Sequence, residues 1–291
     1  MRLVALSFAL AAALAVPPVS ASHHAGSASA AKPAAEAAVA IDPGLAAAVA
    51  GEWRSPANVA RDPHRNPAAT LSFFGVQPGM TVVEVSPGGG WYTEILAPWL
   101  RGQGRLVAAV NDPARAANER AAAFFTRQNQ ALRERFTAQP ALFDQVRIIE
   151  VDPAAPVYGE PGSADAVLTF RNLHGWMRNG QADEQMAAFF AVLRPGGLLG
   201  IEQHRALADV PVEEIDGYVS EAQVIALAEA AGFVLEARSE INANPRDDRD
   251  HPNGVWTLPP TLNVPEGEDP AVYRAIGESD RMTLRFRKPK A

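Results

Sequence analysis

Within residues 170–176, FRNLHGW, the chain places a guanidinium, an amide, an imidazole and two aromatic rings directly after an apolar run. An imidazole with an ordinary pKa near 6.5 suits proton removal at neutral pH, and a neighbouring amide and guanidinium can orient an acceptor. His174 is therefore the first candidate for a general base, with Asn172 and Arg171 as orienting groups. His204 is the second; with Arg205 it closes a later apolar run, LLGIEQHR. Two histidines on neighbouring loops can also ligate a metal when a carboxylate such as Glu202 joins them, but no HxxxH or HxH spacing is present and no metal site is expected. The chain has no cysteine, which removes thiolate ligands, thiol nucleophiles and disulfides.

Residues 81–95, TVVEVSPGGGWYTEI, carry the other signal. Val82, Val83 and Val85 flank Glu84 in what reads as a buried strand, and Pro87-Gly88-Gly89-Gly90 then removes the side chains that would keep a ligand from the backbone. The N–H groups of such a turn, opening a helix, can hold a nucleotide-like ligand. The dinucleotide fingerprint is not met, because Thr93 stands where its third glycine would be, so a nicotinamide cofactor is disfavoured.

The segment Glu84-Val85-Ser86-Pro87-Gly88-Gly89-Gly90 resembles the first motif of class I S-adenosylmethionine (SAM) dependent methyltransferases, with Ser86 in place of the first glycine. The resemblance runs from about residue 77 to about residue 289 and implies SAM as the cofactor, held by Glu84, Ser86, Gly88 and Gly90. It implies an acid after the second strand for the ribose hydroxyls, Asp112, with Asn111 as the competing alignment. It implies a second acid, Asp152, for the adenine amine, and a loop from Phe170 onward that faces both the methyl group and the substrate. Both acids also have a plain structural reading: Asp112 precedes Pro113 at a helix start, and Asp152-Pro153 is an ordinary turn opener. The FRNLHGW loop, taken with PGGGWYTE and ESDRMTL, also resembles an exported bacterial group of predicted methyltransferases.

Such loops meet only if the strands that carry them end on one side of a sheet. Strands are expected at 81–85, 105–110, 146–151, 164–170, 197–203, 233–241 and 281–287. Helices are expected at 92–100, 113–138, 182–193 and 220–231, with only a short piece near Pro153 in the third gap. This alternation predicts an α/β, Rossmann-like, doubly wound sheet with ligands at the strand ends. The last strand can pair back on 233–241 as a hairpin, and the resemblance implies seven mainly parallel strands with that one antiparallel. Two segments are expected to cover the strand ends. Residues 53–67 bring Arg54, Arg61, His64 and Arg65, and residues 241–263 bring Arg246, Arg249, His251 and Trp256. With Arg171 they would form a cationic lid, which suggests an anionic substrate.

Length and charge bound the rest. A chain of 291 residues, 47% hydrophobic, supports one substantial domain after a leader. A net charge of −7 gives no overall attraction for nucleic acid, and no basic stripe is visible, so a small-molecule acceptor is expected. Arg2, the apolar run 3–16 and Val19-Ser20-Ala21 read as a signal peptide over 1–21, implying a periplasmic or secreted product with no membrane association after cleavage. Residues 22–50 read as an Ala/Ser/Pro-rich linker with a marginal helix at its end, and 51–291 as the methyltransferase-like domain. Because SAM is made in the cytoplasm, an exported binding protein holding a nucleoside-like or anionic ligand is the rival expectation. A hydrolytic or metal-assisted enzyme using the histidines is the third, and the oligomeric state is left open.

Overall fold

The computed structural model describes residues 40–290. The expected signal peptide and most of the expected linker lie outside them. The strands are β1 (Thr81–Val85), β2 (Arg105–Asn111), β3 (Arg147–Val151), β4 (Ala164–Phe170), β5 (Leu193–Ala206), β6 (Val219–Ser220), β7 (Val234–Ser239) and β8 (Arg281–Arg287). Their order is β3-β2-β1-β4-β5-β8-β7, with the two-residue β6 beside the end of β5. The pairs from β3 to β5 are parallel, and β8 runs antiparallel to both β5 and β7. This is the expected doubly wound sheet with a reversed last strand.

Parallel strands buried on both faces read as continuous apolar runs, and the pleat explains why Val82-Val83-Glu84-Val85 does. Val83 and Val85 join Val167, Leu199 and Ile201 on one face, under Met186 and Phe189 of helix Ala182–Val192 and Val224 of helix Glu221–Ala230. Val82 joins Leu106, Leu168 and Leu198 on the other face, under Phe74, Ile95, Leu96 and Leu132 from helices Pro67–Phe74, Thr93–Leu100 and Glu119–Ala138.

Three departures from expectation shape the molecule. Strand β5 overshoots the expected 197–203 at both ends; Phe170, the last residue of β4, pairs with Glu202, so His204 lies beyond the end of β4. The β3–β4 connection contains no helix: Asp152 accepts from the Ala154 N–H in a tight turn where a helical piece was expected, and Tyr158 packs down instead, its hydroxyl bonded to Gln185. Helix Pro43–Val49 is docked. Leu45 is wholly buried, and Asp42 caps the helix while accepting from the Trp99 indole at 2.8 Å. The last part of the segment read as linker therefore belongs to the folded unit.

Candidate active site

The glycine turn leaves β1 through Ser86, whose φ of 50° puts a non-glycine residue in the left-handed region. Its N–H donates to the Ala109 carbonyl at 2.8 Å, which fixes the turn to β2. Gly88 and Gly90 also have positive φ, and a Cβ on Gly88 or Gly89 would meet no atom within 4 Å. That open side is where a ligand can reach the backbone. Glu84 faces away from it, wholly enclosed, and accepts from Thr93 Oγ1 at 2.6 Å. Burial pushes its carboxyl up to about 7, against the hydrogen bond from Thr93. The residue that breaks the dinucleotide fingerprint is thus the partner of the motif's acid, and the pair staples strand to helix.

At the ends of β2 and β3 both acids bond to local backbone, Asp112 as the cap of the short helical turn Pro113–Arg115 and Asp152 within a tight turn. Asp112 Oδ1 accepts from the Ala114 N–H at 2.8 Å, and Asp152 Oδ1 from the Ala154 N–H at 2.9 Å. Asp112 Oδ2 has no protein partner among the described residues. The Asn111 carbonyl accepts from Asn129 Nδ2 at 2.9 Å. The open glycine turn and the spare oxygen of Asp112 fit a nucleoside-type ligand across β1 and β2.

Beside the turn, the exits of β4 and β5 wall a cavity of about 360 Å³. Phe170, Arg171, His174 and His204 line it from the sheet side, Arg61 and Arg65 from the segment before β1, and Trp256, Pro259 and Pro260 from the loop after β7. Phe170 stacks on Tyr92 at 3.7 Å, which joins the cavity wall to the end of the glycine turn. Asn172 does not line the cavity: it donates to the Val85 carbonyl at 3.2 Å and to Thr169 Oγ1 at 3.0 Å, tying the β4 exit to β1. Arg171 has a φ of 62°, a conformation disfavoured for its side chain, and is held there by its N–H to the Glu202 carbonyl at 2.7 Å.

Two carboxylates organise the charges. Glu278 pairs with Arg61 at 2.6 Å, Arg65 at 2.9 Å and Arg281 at 3.1 Å. Glu202 pairs with Arg171 at 2.9 Å and Arg281 at 3.0 Å, and accepts from the Tyr92 hydroxyl. Burial and the adjacent Glu202 keep the Tyr92 phenol protonated. Four guanidiniums therefore face two carboxylates, leaving an excess of two positive charges in a largely enclosed cluster. Only part of the expected lid contributes to it. Arg54 pairs with Asp62, and Arg249 with Asp280, while His251 sits on Asp247. Glu202, offered as a carboxylate to complete a two-histidine metal set, is engaged by arginines instead.

The two histidine rings lie 5.7 Å apart, and Trp256 stands edge-on to His174 at 5.8 Å. His174 Nδ1 is 3.2 Å from Gln203 Nε2, and His204 Nδ1 is 2.6 Å from Ser279 Oγ. Burial lowers the His174 pKa to about 4. His204 falls well below its ordinary range, through burial first and then through His174, Arg171 and Arg281. Both rings are neutral at pH 7, and His174 lacks the near-neutral pKa that its sequence position suggested. Sequence reasoning gave no role to Gln203, Glu278, Ser279 or Arg281. The signal available for the last three was the ESDR run, four polar residues set against the last strand, and all four side chains enter networks at the strand ends.

No protein family and no curated protein matches this sequence. Among solved structures, the chain is similar to a SAM dependent methyltransferase from Aquifex aeolicus, at 15% identity over 81% of this chain and 95% of that one, with a TM-score of 0.52. It is also similar to the [4+2]-cyclase SpnF, at 15% identity over 85% of this chain and 92% of that one, with a TM-score of 0.54. At these identities the likeness establishes the fold, and the fold is one on which a methyltransferase and a cyclase both occur.

Proposed function

We propose that the protein transfers a methyl group from SAM to a small anionic acceptor. The observation that carries the proposal is the cavity at the β4 and β5 exits, lined by three guanidiniums, Arg61, Arg65 and Arg171, against the single carboxylate of Glu278, with the buried Arg281–Glu202 pair behind its wall. Its volume lies at the small end of ligand pockets, roughly 300–1,000 Å³. When bound, SAM supplies a methyl group on a sulfonium, open to in-line displacement. The open backbone of Gly88 and Gly89 supports entry of the cofactor there, and the role given to Asp112 Oδ2, which the cap bond leaves free, is to accept from a ribose. Arg171 and Arg61 hold the acceptor's anionic part, and the Tyr92–Phe170 stack fixes the wall between the two halves. Alignment of this kind supplies effective molarities of ~10⁵–10⁸ M.

The test is calorimetric titration of the purified protein with SAM and with its demethylated product, followed by a labelled-methyl screen over small carboxylates, phosphates and sulfonates. Binding of SAM with label appearing in an anionic product is the expected result. Anion binding with no label transferred would instead favour the exported binding protein, the reading that the expected signal peptide supports.

A further inference from the structure

We propose that the two histidines divide the work: His174 holds the acceptor's anionic group as a fixed hydrogen-bond donor, and His204, oriented by Ser279, takes the acceptor's proton. The reaction itself rests on the methyl-transfer reading above, whereas the division of roles rests on two hydrogen bonds.

Gln203 decides the first role. Its side chain is wholly buried, with Nε2 at 2.9 Å from the Gly217 carbonyl oxygen, which can only accept. The NH₂ group must therefore face that oxygen, since the amide turned over would set two acceptors against each other. The second hydrogen of the same nitrogen points to His174 Nδ1, 3.2 Å away. Nδ1 must offer its lone pair, and the single hydrogen of the neutral ring sits on Nε2. His174 lines the cavity, and among the described residues nothing bonds to Nε2. A neutral ring fixed in that tautomer donates to an oxyanion and has no lone pair left for the acceptor's proton.

Ser279 imposes no such choice on His204. A hydroxyl donates or accepts, so the 2.6 Å contact survives in either tautomer by rotation of one hydrogen. With its hydrogen on Nδ1, shared with Ser279, His204 offers Nε2 as a proton acceptor. In the transfer, the acceptor's heteroatom bonds the methyl carbon and the electron pair of the broken sulfur–carbon bond stays on sulfur. The acceptor's proton moves to His204 Nε2. The 5.7 Å between the rings then defines the acceptor class as a small acid that also carries a hydroxyl or amine, its anionic group toward His174 and Arg171 and its nucleophile toward His204.

The roles are tested first by NMR of the ¹⁵N-histidine-labelled protein, with His174→Gln and His204→Gln assigning the signals. A proton on Nε2 of His174 at pH 7, unmoved by Ser279→Ala, is expected; a proton on Nδ1 of His174 would overturn the proposal. Titration with inorganic phosphate gives the second readout. His174→Gln, which keeps an N–H donor, should bind phosphate within about threefold of wild type, and His174→Phe at least about tenfold more weakly, as loss of a charge-assisted hydrogen bond requires. Equal phosphate affinity in all three proteins would overturn the donor role. On an acceptor found by the labelled-methyl screen, His204→Gln should lower turnover at least about 100-fold and His174→Gln far less; the reverse order would overturn the assignment. Failure of SAM to bind, with the NMR and phosphate results as expected, would sink methyl transfer and leave His174 standing as an anion donor.

Discussion

Glu84 and Thr93 show how far a residue's type can be read without its orientation. The acid was legible as part of a ligand motif, but the strand pleat turns it onto the helix-covered face, where it meets Thr93 and not the open turn. Its folded pKa of about 7 lies above the ordinary 4.5, so its contribution to stability is fully present below pH 4.5 and is lost as pH rises through about 7. His174 runs the other way: its folded pKa of about 4 lies below the ordinary 6.5, so stability is lost as pH falls from about 6.5 toward 4. Glu84→Gln should therefore gain melting temperature over wild type progressively between pH 4.5 and 7 and hold that gain above it, as thermal unfolding across the range would show. Ser86 was legible as a departure from a glycine motif, and its φ of 50° gives the departure a physical cost. Ser86→Gly should stabilise the fold by up to about 1 kcal/mol in urea denaturation, relief of left-handed strain outweighing the added chain entropy. For Asp112, sequence offered a cap and a ligand, and the structure shows a cap with one oxygen spare, whereas Asp152 holds a turn and its second oxygen lies 3.9 Å from Arg115. Asp112→Ala should weaken nucleoside binding at least about tenfold, and more than Asp152→Ala does, measured by titration with SAM.

At the scale of elements, the strands and their order were legible because parallel strands buried on both faces leave unbroken apolar runs and crossover helices separate them. What periodicity could not supply was how far β5 runs on, or that the ESDR run before β8 would meet the segment before β1, since ion pairs between residues some two hundred positions apart leave no local pattern. Glu278 is the knot of that meeting, joining Arg61, Arg65 and Arg281. Glu278→Gln should cost about 3 kcal/mol of stability, because it strands buried guanidiniums without their carboxylate. The same change raises the positive excess of the cavity, so phosphate should bind the variant more tightly than wild type. A variant weaker in both respects would mean that Glu278 shapes the cavity more than it neutralises it.

On the scale of the whole molecule, one compact unit from residue 39 onward bears both halves of the site, and its first helix was legible only as marginal because seven residues cannot hold a helix without the packing of Leu45. The protection of the sheet is uneven. Strand β3 is an edge with exposed Arg147 and Glu150, and no helix covers the crossover to β4, whereas β4 is enclosed along nearly its whole length. Amide hydrogens of β3 and the neighbouring part of β2 should exchange with deuterium well before those of β4 and β5, because local opening there breaks fewer buried contacts. Asp112 and Asp152 stand at the ends of those two strands, while Arg171 and His204 ride on β4 and β5. On the proposed function, the nucleoside half of the site is mounted on the part of the sheet expected to open first and the anion half on the part expected to open last. A nucleoside ligand should accordingly slow deuterium uptake in β2 and β3 more than phosphate does, making the sheet's own unevenness a reporter of which half is filled.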